Sequence, residues 1–229
     1  MPPDAGVIVV AAGRGTRFGT ELPKQYQPLA GAPVLLHAIR PFASHPDIGH
    51  IVVVLPPDDA LSPPSWLRDL AGDRLAITAG GGERRDSVIA GLAMLAPECA
   101  IVLVHDGARP FPSRAMIDGG IAAARHGRSS VPALPIADTI KRADDFGRVQ
   151  STVDRHGLWC AQTPQAFPRR VLERAHAAAA TDENLAATDD AMLVERLGEP
   201  VELLPGSSRN LKITTAHDLA LATWYAEQP

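Results

Sequence analysis

Runs of apolar residues with the length of β-strands alternate along the chain with segments of helical periodicity. Four runs, at 7–10, 51–55, 75–79 and 101–104, are apolar on both faces, which is typical of buried parallel strands. Helical patterns lie near 33–44, 86–96 and 113–126. This β-α-β-α order predicts an α/β fold, an open, mostly parallel twisted sheet with helices on both faces. In such sheets ligands bind at the carboxyl ends of the strands, so the residues after each run are the candidates for chemistry.

The pattern changes after residue 131, where prolines interrupt an apolar stretch. Segments 139–142 and 149–153 flank the polar turn Asp144-Asp145-Phe146-Gly147 and predict a β-hairpin. This protruding arm, about 136–157, has few apolar residues, and an isolated hairpin is marginally stable. We therefore expect it to pack on another surface, such as a second subunit, and to extend from a single domain spanning 1–229. Further on, the pattern predicts helices at 169–180, 191–197 and 216–226, a helix start at Thr188-Asp189-Asp190, and a strand pair at 201–204 and 211–214.

Composition narrows the classes of protein that the chain can represent. The hydrophobic fraction of 45% supplies a globular core, and a net charge of −4 with no basic stripe argues against nucleic-acid binding. Cys99 and Cys160 are the only cysteines, too few for a disulfide framework or a cysteine-rich zinc site. No signal peptide and no apolar run of membrane-spanning length is found, so we expect a cytoplasmic protein without membrane partners.

A glycine-rich turn follows the first strand and is followed in turn by a lysine. The turn runs from Ala11 and Ala12 through Gly13, Gly15 and Arg17 to Gly19, and Pro23-Lys24 comes after it. Glycine lets backbone amides approach phosphate oxygens, and two cations stand nearby, which favours a nucleoside triphosphate site over a plain strand-to-helix turn.

This turn matches neither of the common phosphate-binding fingerprints. It lacks the Gly-Lys-Ser/Thr of a P-loop. Phe18 stands where a dinucleotide fingerprint needs glycine, and Pro23 leaves no room for the helix that should begin at once. The loop is therefore predicted to run on as an extended lid through Lys24.

Two further strand ends carry candidate residues. The third run leads into Gly80-Gly81-Gly82, which can lie against a base or a phosphate, and then into Asp86 and Ser87, either of which can cap a helix. The fourth run leads into His105-Asp106. A carboxylate beside a triphosphate is a natural Mg²⁺ ligand, although Asp106 alone also fits a helix cap.

At this point the motifs resemble those of a known family, the 2-C-methyl-D-erythritol 4-phosphate cytidylyltransferases of the nucleotidyltransferase superfamily. The resemblance covers about residues 5–225. It rests on Ala11-Ala12-Gly13-x-Gly15-x-Arg17, Pro23-Lys24-Gln25-Tyr26, Gly81-Gly82-x-x-x-x-Ser87-Val88, His105-Asp106-x-Ala108-Arg109-Pro110, Asp138-Thr139, Thr152-Val153-Asp154-Arg155-x-Gly157-Leu158-Trp159, Thr163-Pro164-Gln165, Thr188-Asp189 and Lys212-Ile213-Thr214.

The resemblance implies a Rossmann-like nucleotidyltransferase fold and a transfer of the cytidylyl group of CTP to methylerythritol phosphate, with Mg²⁺ as cofactor. It implies a homodimer in which Thr139 and Arg155 of the exchanged arm act on the neighbouring site. The implied catalytic residues are Arg17, Lys24, Arg155 and Lys212. The implied CTP-binding residues are Ala11, Ala12, Gly13, Gly15, Arg17, Lys24, Gly81, Gly82, Arg84, Ser87 and Asp106. The implied acceptor-binding residues are Asp106, Arg109, Thr139, Arg155, Thr163, Thr188 and Lys212, and the implied metal ligand is Asp106.

Two other functions remain open on the sequence. One is a sibling cytidylyltransferase acting on another polyol phosphate, such as ribitol 5-phosphate. The other is a nicotinamide-dependent Rossmann oxidoreductase, which Phe18 and the absence of an early helix disfavour. The sequence also departs from the family at Arg209, where the family often carries an acid, and Thr181-Asp182 offers a second Thr-Asp pair near Thr188.

Overall fold

The computed structural model describes residues 3–13, 22–180, 182 and 187–228. Residues 14–21 of the predicted lid, with Gly15, Arg17 and Phe18, lie outside these residues, as does Thr181. The described elements, in chain order, are β1 (Ala5–Val10), a 3-10 turn (Lys24–Tyr26), β2 (Pro28–Leu29), β3 (Ala32–Pro33), α1 (Val34–Ala43), β4 (Ile48–Leu55), α2 (Pro57–Leu61), α3 (Ser65–Arg68), β5 (Leu75–Ala79), α4 (Arg84–Met94), β6 (Ile101–Asp106), α5 (Arg114–Arg125), β7 (Ser129–Pro135), β8 (Ile140–Ala143), β9 (Val149–Val153), β10 (Trp159–Ala161), β11 (Gln165–Pro168), α6 (Arg169–Ala179), α7 (Asp190–Arg196), β12 (Val201–Pro205) and α8 (Ala216–Glu227).

The main sheet is mostly parallel, as the sequence predicts. β1 pairs in parallel with β4 and β6, and β5 extends the parallel part beside β4. Beyond β6, β11 runs antiparallel to both β6 and β7, and β7 also pairs with β10 and β12. The carboxyl ends of β1, β5 and β6 therefore open on the same edge.

Helices cover both faces of the sheet, which confirms the predicted layering. Val7 and Val9 of β1 pack in the core layer that contains residues of α1 and α5, whereas Ile8 packs with α4, α6 and α7. Alternate side chains of a strand point to opposite faces, so a run that is apolar at every position is what a sheet covered on both sides requires.

Several predicted elements need correction. Segment 211–214 is not a strand: the N–H of Ile213 bonds the Ala108 carbonyl in the loop after β6 instead of joining a ladder. α4 begins at Arg84 with Glu83 as its N-cap residue, so neither Asp86 nor Ser87 is the N-cap, although Asp86 accepts the Glu83 N–H at 3.0 Å. β7 was missed because Pro132 interrupts its apolar run, and β11 was missed because it has only four residues, which end at Pro168.

The arm has the predicted hairpin form. β8 and β9 make a two-stranded sheet of their own, and Asp144 closes the tip by accepting the N–H groups of Phe146 and Arg148. Phe146 at the tip is 82% exposed. No helix in the described part of the chain is long and apolar enough to cross a membrane.

Candidate active site

Asp106, at the carboxyl end of β6, is the centre of the candidate site. Its carboxylate is nearly buried and faces three cations: Lys212 Nζ lies 2.8 Å from Oδ2, Arg109 Nε lies 3.7 Å from Oδ2 and Arg84 Nε lies 3.6 Å from Oδ1. Burial opposes ionisation, but the charges of Lys212 and Arg84 hold the pKa of Asp106 far below its usual value. Asp106 is therefore a carboxylate at neutral pH.

Two of these cations are placed by the segment before α8. Arg109 Nη1 donates to the carbonyl of Asn210 at 2.8 Å, and the fully buried Asn210 donates from Nδ2 to the Thr163 carbonyl at 2.8 Å. The Ile213–Ala108 backbone bond fixes the neighbouring Lys212. Asn210 thus links the loop that carries Lys212 to Arg109 after β6 and to Thr163 before β11.

A buried histidine fixes the loop after β6. His105 is fully buried against Phe42, with ring centroids 5.0 Å apart, and its Nε2 lies 2.9 Å from the Arg109 carbonyl. That carbonyl can only accept, so Nε2 carries the proton and Nδ1 accepts from the Thr163 hydroxyl at 3.0 Å. Thr163 Oγ1 in turn accepts the Asp106 N–H at 3.0 Å. His105 is therefore a neutral structural link, and burial lowers its pKa to about 4.

Acidification is expected to destabilise the protein through His105. The pKa of His105 is about 4 in the folded protein and 6.5 as the ordinary value, so the unfolded chain binds the proton better. The stability that neutral His105 contributes is therefore complete above about pH 6.5. It is lost as the pH falls towards 4. Urea unfolding at pH 7 and pH 4.5 should show a loss of about 2–3 kcal/mol from this group. His105→Gln, whose side chain does not titrate, should lose about 2–3 kcal/mol less stability than the wild type between pH 7 and pH 4.5. If the free energy of unfolding of the variant fell with pH as steeply as that of the wild type, His105 would not be the group responsible.

A first cleft lies between the ends of β1, β5 and β6 and has a volume of about 220 Å³. Its walls include small or glycine positions at the ends of β1 and β5, together with Lys24 and Ser87. The lining residues from the predicted set are Ala11, Ala12, Gly13, Lys24, Gly81, Gly82, Arg84, Ser87, Asp106 and Lys212. The structure therefore brings together every predicted CTP-binding residue that it describes.

Close packing explains why this wall is built from small residues. A Cβ on Gly80 would lie 2.5 Å from both Ala12 Cβ and Ser87 Oγ, which no side chain tolerates. On the opposite side, the buried Gln25 donates from Nε2 to the Ala11 carbonyl at 3.1 Å and holds the turn that carries Lys24 against β1. This role of Gln25 was not predicted, and its one signal in the sequence is its position next to Lys24.

A second cleft of about 230 Å³ adjoins the first. It is lined by Arg109, Thr163 and Thr188 of the predicted acceptor set and by Gln162, Gln165 and Asp189, to which the sequence analysis gave no role in binding. Arg84, Asp106 and Lys212 line both clefts. A ligand in one cleft and a ligand in the other would meet at Asp106.

Among the predicted site residues that the structure describes, Thr139 and Arg155 are the two that do not line the clefts of their own chain. Thr139 lies directly before β8 and Arg155 lies two residues after β9, at the base of the arm. Both are exposed and neither lines either cleft.

An α/β sheet whose strand ends present a narrow cleft of small residues, next to a carboxylate ringed by cations, is the arrangement of a nucleotidyltransferase. The model of one family, 2-C-methyl-D-erythritol 4-phosphate cytidylyltransferase, matches residues 5–228, and the chain belongs to that family. It is accordingly a cytidylyltransferase, and the family predicted from the motifs is confirmed.

Individual relatives agree with this assignment. The chain is 42% identical to the 2-C-methyl-D-erythritol 4-phosphate cytidylyltransferase of Syntrophus aciditrophicus, over 97% of this chain and 95% of that protein. It is 44% identical to the enzyme of the same name from Pelotomaculum thermopropionicum, over 94% and 91%. The crystal structure of the enzyme of this name from Thermus thermophilus superposes with a TM-score of 0.82 at 33% identity and covers 98% of this chain and 100% of that one.

Proposed function

We propose that the chain transfers the cytidylyl group of CTP to 2-C-methyl-D-erythritol 4-phosphate and releases pyrophosphate and 4-CDP-2-C-methyl-D-erythritol, in the non-mevalonate route to isoprenoid precursors. The observation that carries this proposal is the pair of adjoining clefts that share Arg84, Asp106 and Lys212. Two anionic substrates held in these clefts would bring their phosphates together beside a cluster of positive charge.

The first cleft takes CTP in this proposal. Ala11, Ala12, Gly13, Gly81, Gly82 and Ser87 form a narrow slot in which backbone groups and one hydroxyl select the pyrimidine. Lys24 and Arg84 meet the triphosphate. The resemblance assigns Gly15 and Arg17 to CTP binding as well, and both lie outside the described residues.

The reaction needs positioning and charge more than proton transfer. A phosphate monoester is ionised at neutral pH, so the acceptor oxygen attacks the α-phosphorus directly while the bond from that phosphorus to the bridging oxygen breaks and its electrons leave with pyrophosphate. Negative charge grows on the α-phosphate oxygens, and Lys24, Lys212, Arg17 and Arg155 stabilise it. His105 is not a general base here, because it is enclosed and already bonded at both nitrogens.

Asp106 is suited to a Mg²⁺ ion that takes most of its ligands from the nucleotide. Mg²⁺ in such sites keeps waters and binds one or two carboxylates plus substrate phosphates. Asp106 is ionised, and its Oδ1 accepts no hydrogen bond from the described residues. Within those residues no group of three His, Cys, Asp or Glu side chains is placed to hold a metal, so they offer no all-protein cage. When bound, the ion would neutralise phosphate charge and orient the triphosphate.

The second cleft takes the acceptor. Arg109, Thr188 and Lys212 supply donors for its phosphate and hydroxyl groups. Thr163 lines the same cleft, but its proton is directed to His105 and its oxygen accepts the Asp106 N–H. The larger contribution of Thr163 is therefore to fix the backbone of Asp106.

We further propose that the chain forms a homodimer in which the arm completes the partner's acceptor cleft. Thr139 and Arg155 lie outside their own chain's clefts, at the base of an arm that buries little of its own surface. A second copy gives these residues a site to act on and gives the exposed apolar side chains of the arm a surface to cover.

Mixing two inactive variants tests the crossed arm. Arg155→Glu should damage acceptor use and Lys24→Ala should damage turnover, each in its own homodimer. A dimer of one chain of each contains one intact site if the site combines Lys24 of one chain with Arg155 of the other. Statistical exchange should then restore about one quarter of the wild-type rate. No recovery, after subunit exchange has been verified with two affinity tags, would show that Lys24 and Arg155 act within one chain.

Pyrophosphate release with a panel of acceptors tests the function itself. CTP and Mg²⁺ with 2-C-methyl-D-erythritol 4-phosphate should give rapid release, whereas ribitol 5-phosphate, glycerol 3-phosphate and unphosphorylated methylerythritol should give little. A preference for ribitol 5-phosphate would overturn the assigned acceptor. Release with ATP in place of CTP at a comparable rate would overturn the assigned nucleotide.

A further inference from the structure

Asp190 is a buried carboxylate that joins two helices to the site. It is the first residue of α7 and is 1% exposed. Its Oδ2 accepts from Arg84 Nη1 at 2.6 Å, and its Oδ1 lies 3.0 Å from Nε2 of the buried His176. Arg84 comes from the start of α4 and His176 comes from α6. Burial opposes ionisation of Asp190, but the bonds with His176 and Arg84 lower its pKa, so it is a fixed negative charge.

Arg84 is shared unequally between two carboxylates. It bonds Asp190 at 2.6 Å, whereas its Nε lies 3.6 Å from Asp106 Oδ1, beyond hydrogen-bond distance. Lys212 occupies the other oxygen of Asp106 at 2.8 Å. Oδ1 is thus the oxygen of Asp106 that is open to a further cation. It stays open only while the Arg84 guanidinium remains beyond hydrogen-bond distance.

We infer that Asp190, steadied by His176, is a positioning residue that holds Arg84 back from Asp106 and so preserves Oδ1 for the divalent cation that enters with CTP. The inference rests on the proposed function, to which the cation and the nucleotide belong. Asp106 is the other carboxylate that pairs with Arg84. A guanidinium that has lost Asp190 therefore closes on Asp106 and competes with the cation.

The adjacent Asp189 provides a matched control. It carries the same charge, but its Oδ1 accepts the Met192 N–H at 3.0 Å and its Oδ2 accepts from Gln165 Nε2 at 2.7 Å, so it forms no bond with Arg84. Asparagine also caps helices well, so Asp189→Asn removes a charge next to Asp190 and retains the cap.

The test measures how much Mg²⁺ tightens CTP binding to the full chain. Calorimetry in saturating Mg²⁺ and in EDTA gives two dissociation constants for CTP, and their ratio is the coupling between metal and nucleotide. Asp190→Asn is expected to reduce this ratio by about tenfold, and Asp189→Asn by less than about twofold. Pyrophosphate release by the wild-type chain, measured separately, tests the proposed function without reference to Asp190.

A second background separates a displaced guanidinium from a change in the general field. In Arg84→Gln, adding Asp190→Asn should produce no further loss of coupling, because the guanidinium that Asp190 holds is no longer present to approach Asp106. An equal loss in both backgrounds, or an equal loss in Asp189→Asn, would overturn the inference, as would unchanged coupling in Asp190→Asn. If Asp190→Asn does not fold, His176→Gln retains the charge and loosens it. This variant should lower the coupling in the wild-type background and not in Arg84→Gln, and no loss in either would refute the proposal.

Discussion

Replacing Asp106 with asparagine is expected to lower kcat/KM for CTP by about a thousandfold, in the range seen when a key electrostatic group is removed from a site that excludes water. Asparagine keeps the shape of the side chain and the backbone hydrogen bond from the Arg109 N–H to the carbonyl of residue 106. It removes the one negative charge that Arg84, Arg109 and Lys212 share, and with it the proposed metal ligand. Steady-state pyrophosphate release measures the loss.

Stability must be separated from chemistry in this variant. Taking one partner from a buried charge cluster costs about 3 kcal/mol, so Asp106→Asn should also melt at a lower temperature. The matched control is Asp73→Asn, the same chemical change at an exposed loop position, for which both rate and melting temperature should match the wild type. A folded Asp106→Asn that retained more than about a tenth of the wild-type kcat/KM would contradict the central role of this carboxylate.

Removing the charge of Lys24 is expected to act on turnover instead of on binding. Lys24→Ala should lower kcat by about a hundredfold or more and change the dissociation constant of CTP by less than about fivefold, if its ammonium group meets charge that develops only in the transition state. The bond from Gln25 to the Ala11 carbonyl keeps the turn in place when the lysine is truncated, so the backbone of the cleft should not collapse.

Lys24→Arg is the control for this prediction. It restores the charge with a different shape and should recover part of the lost turnover, because a point charge on a flexible stem and a planar guanidinium differ in geometry. A variant Lys24→Ala that raised the KM for CTP at unchanged kcat would assign Lys24 to ground-state binding of the triphosphate.

The sheet could be predicted because the runs 7–10, 51–55 and 101–104 of its inner strands are apolar at every position. β1, β4, β5 and β6 pack against helices, and a strand covered on both faces leaves that pattern in the sequence. β7 and β11 could not be read in the same way. Pro132 interrupts the run of β7, and β11 is only four residues long, with Pro164 before it and Pro168 as its last residue. Segment 211–214 was wrongly predicted as a strand for the opposite reason. It contains apolar residues, of which Ile213 is fully buried, but the Ile213 N–H bonds the carbonyl of a loop residue instead of a neighbouring strand.

The amino-acid sequence was enough to predict that cations and an acid gather at one edge of the sheet, because turns that follow parallel strands share that edge. It could not find the roles of Asp190, Asn210 or Gln165. Asp190 meets Arg84 across 106 positions of chain, and Asn210 meets Thr163 across 47. Contacts at such separation have no local periodicity or spacing that marks them, since they depend on how the crossovers bring α4, α6 and α7 together. Only the folded arrangement therefore shows which polar residues hold Asp106 and its cations in place.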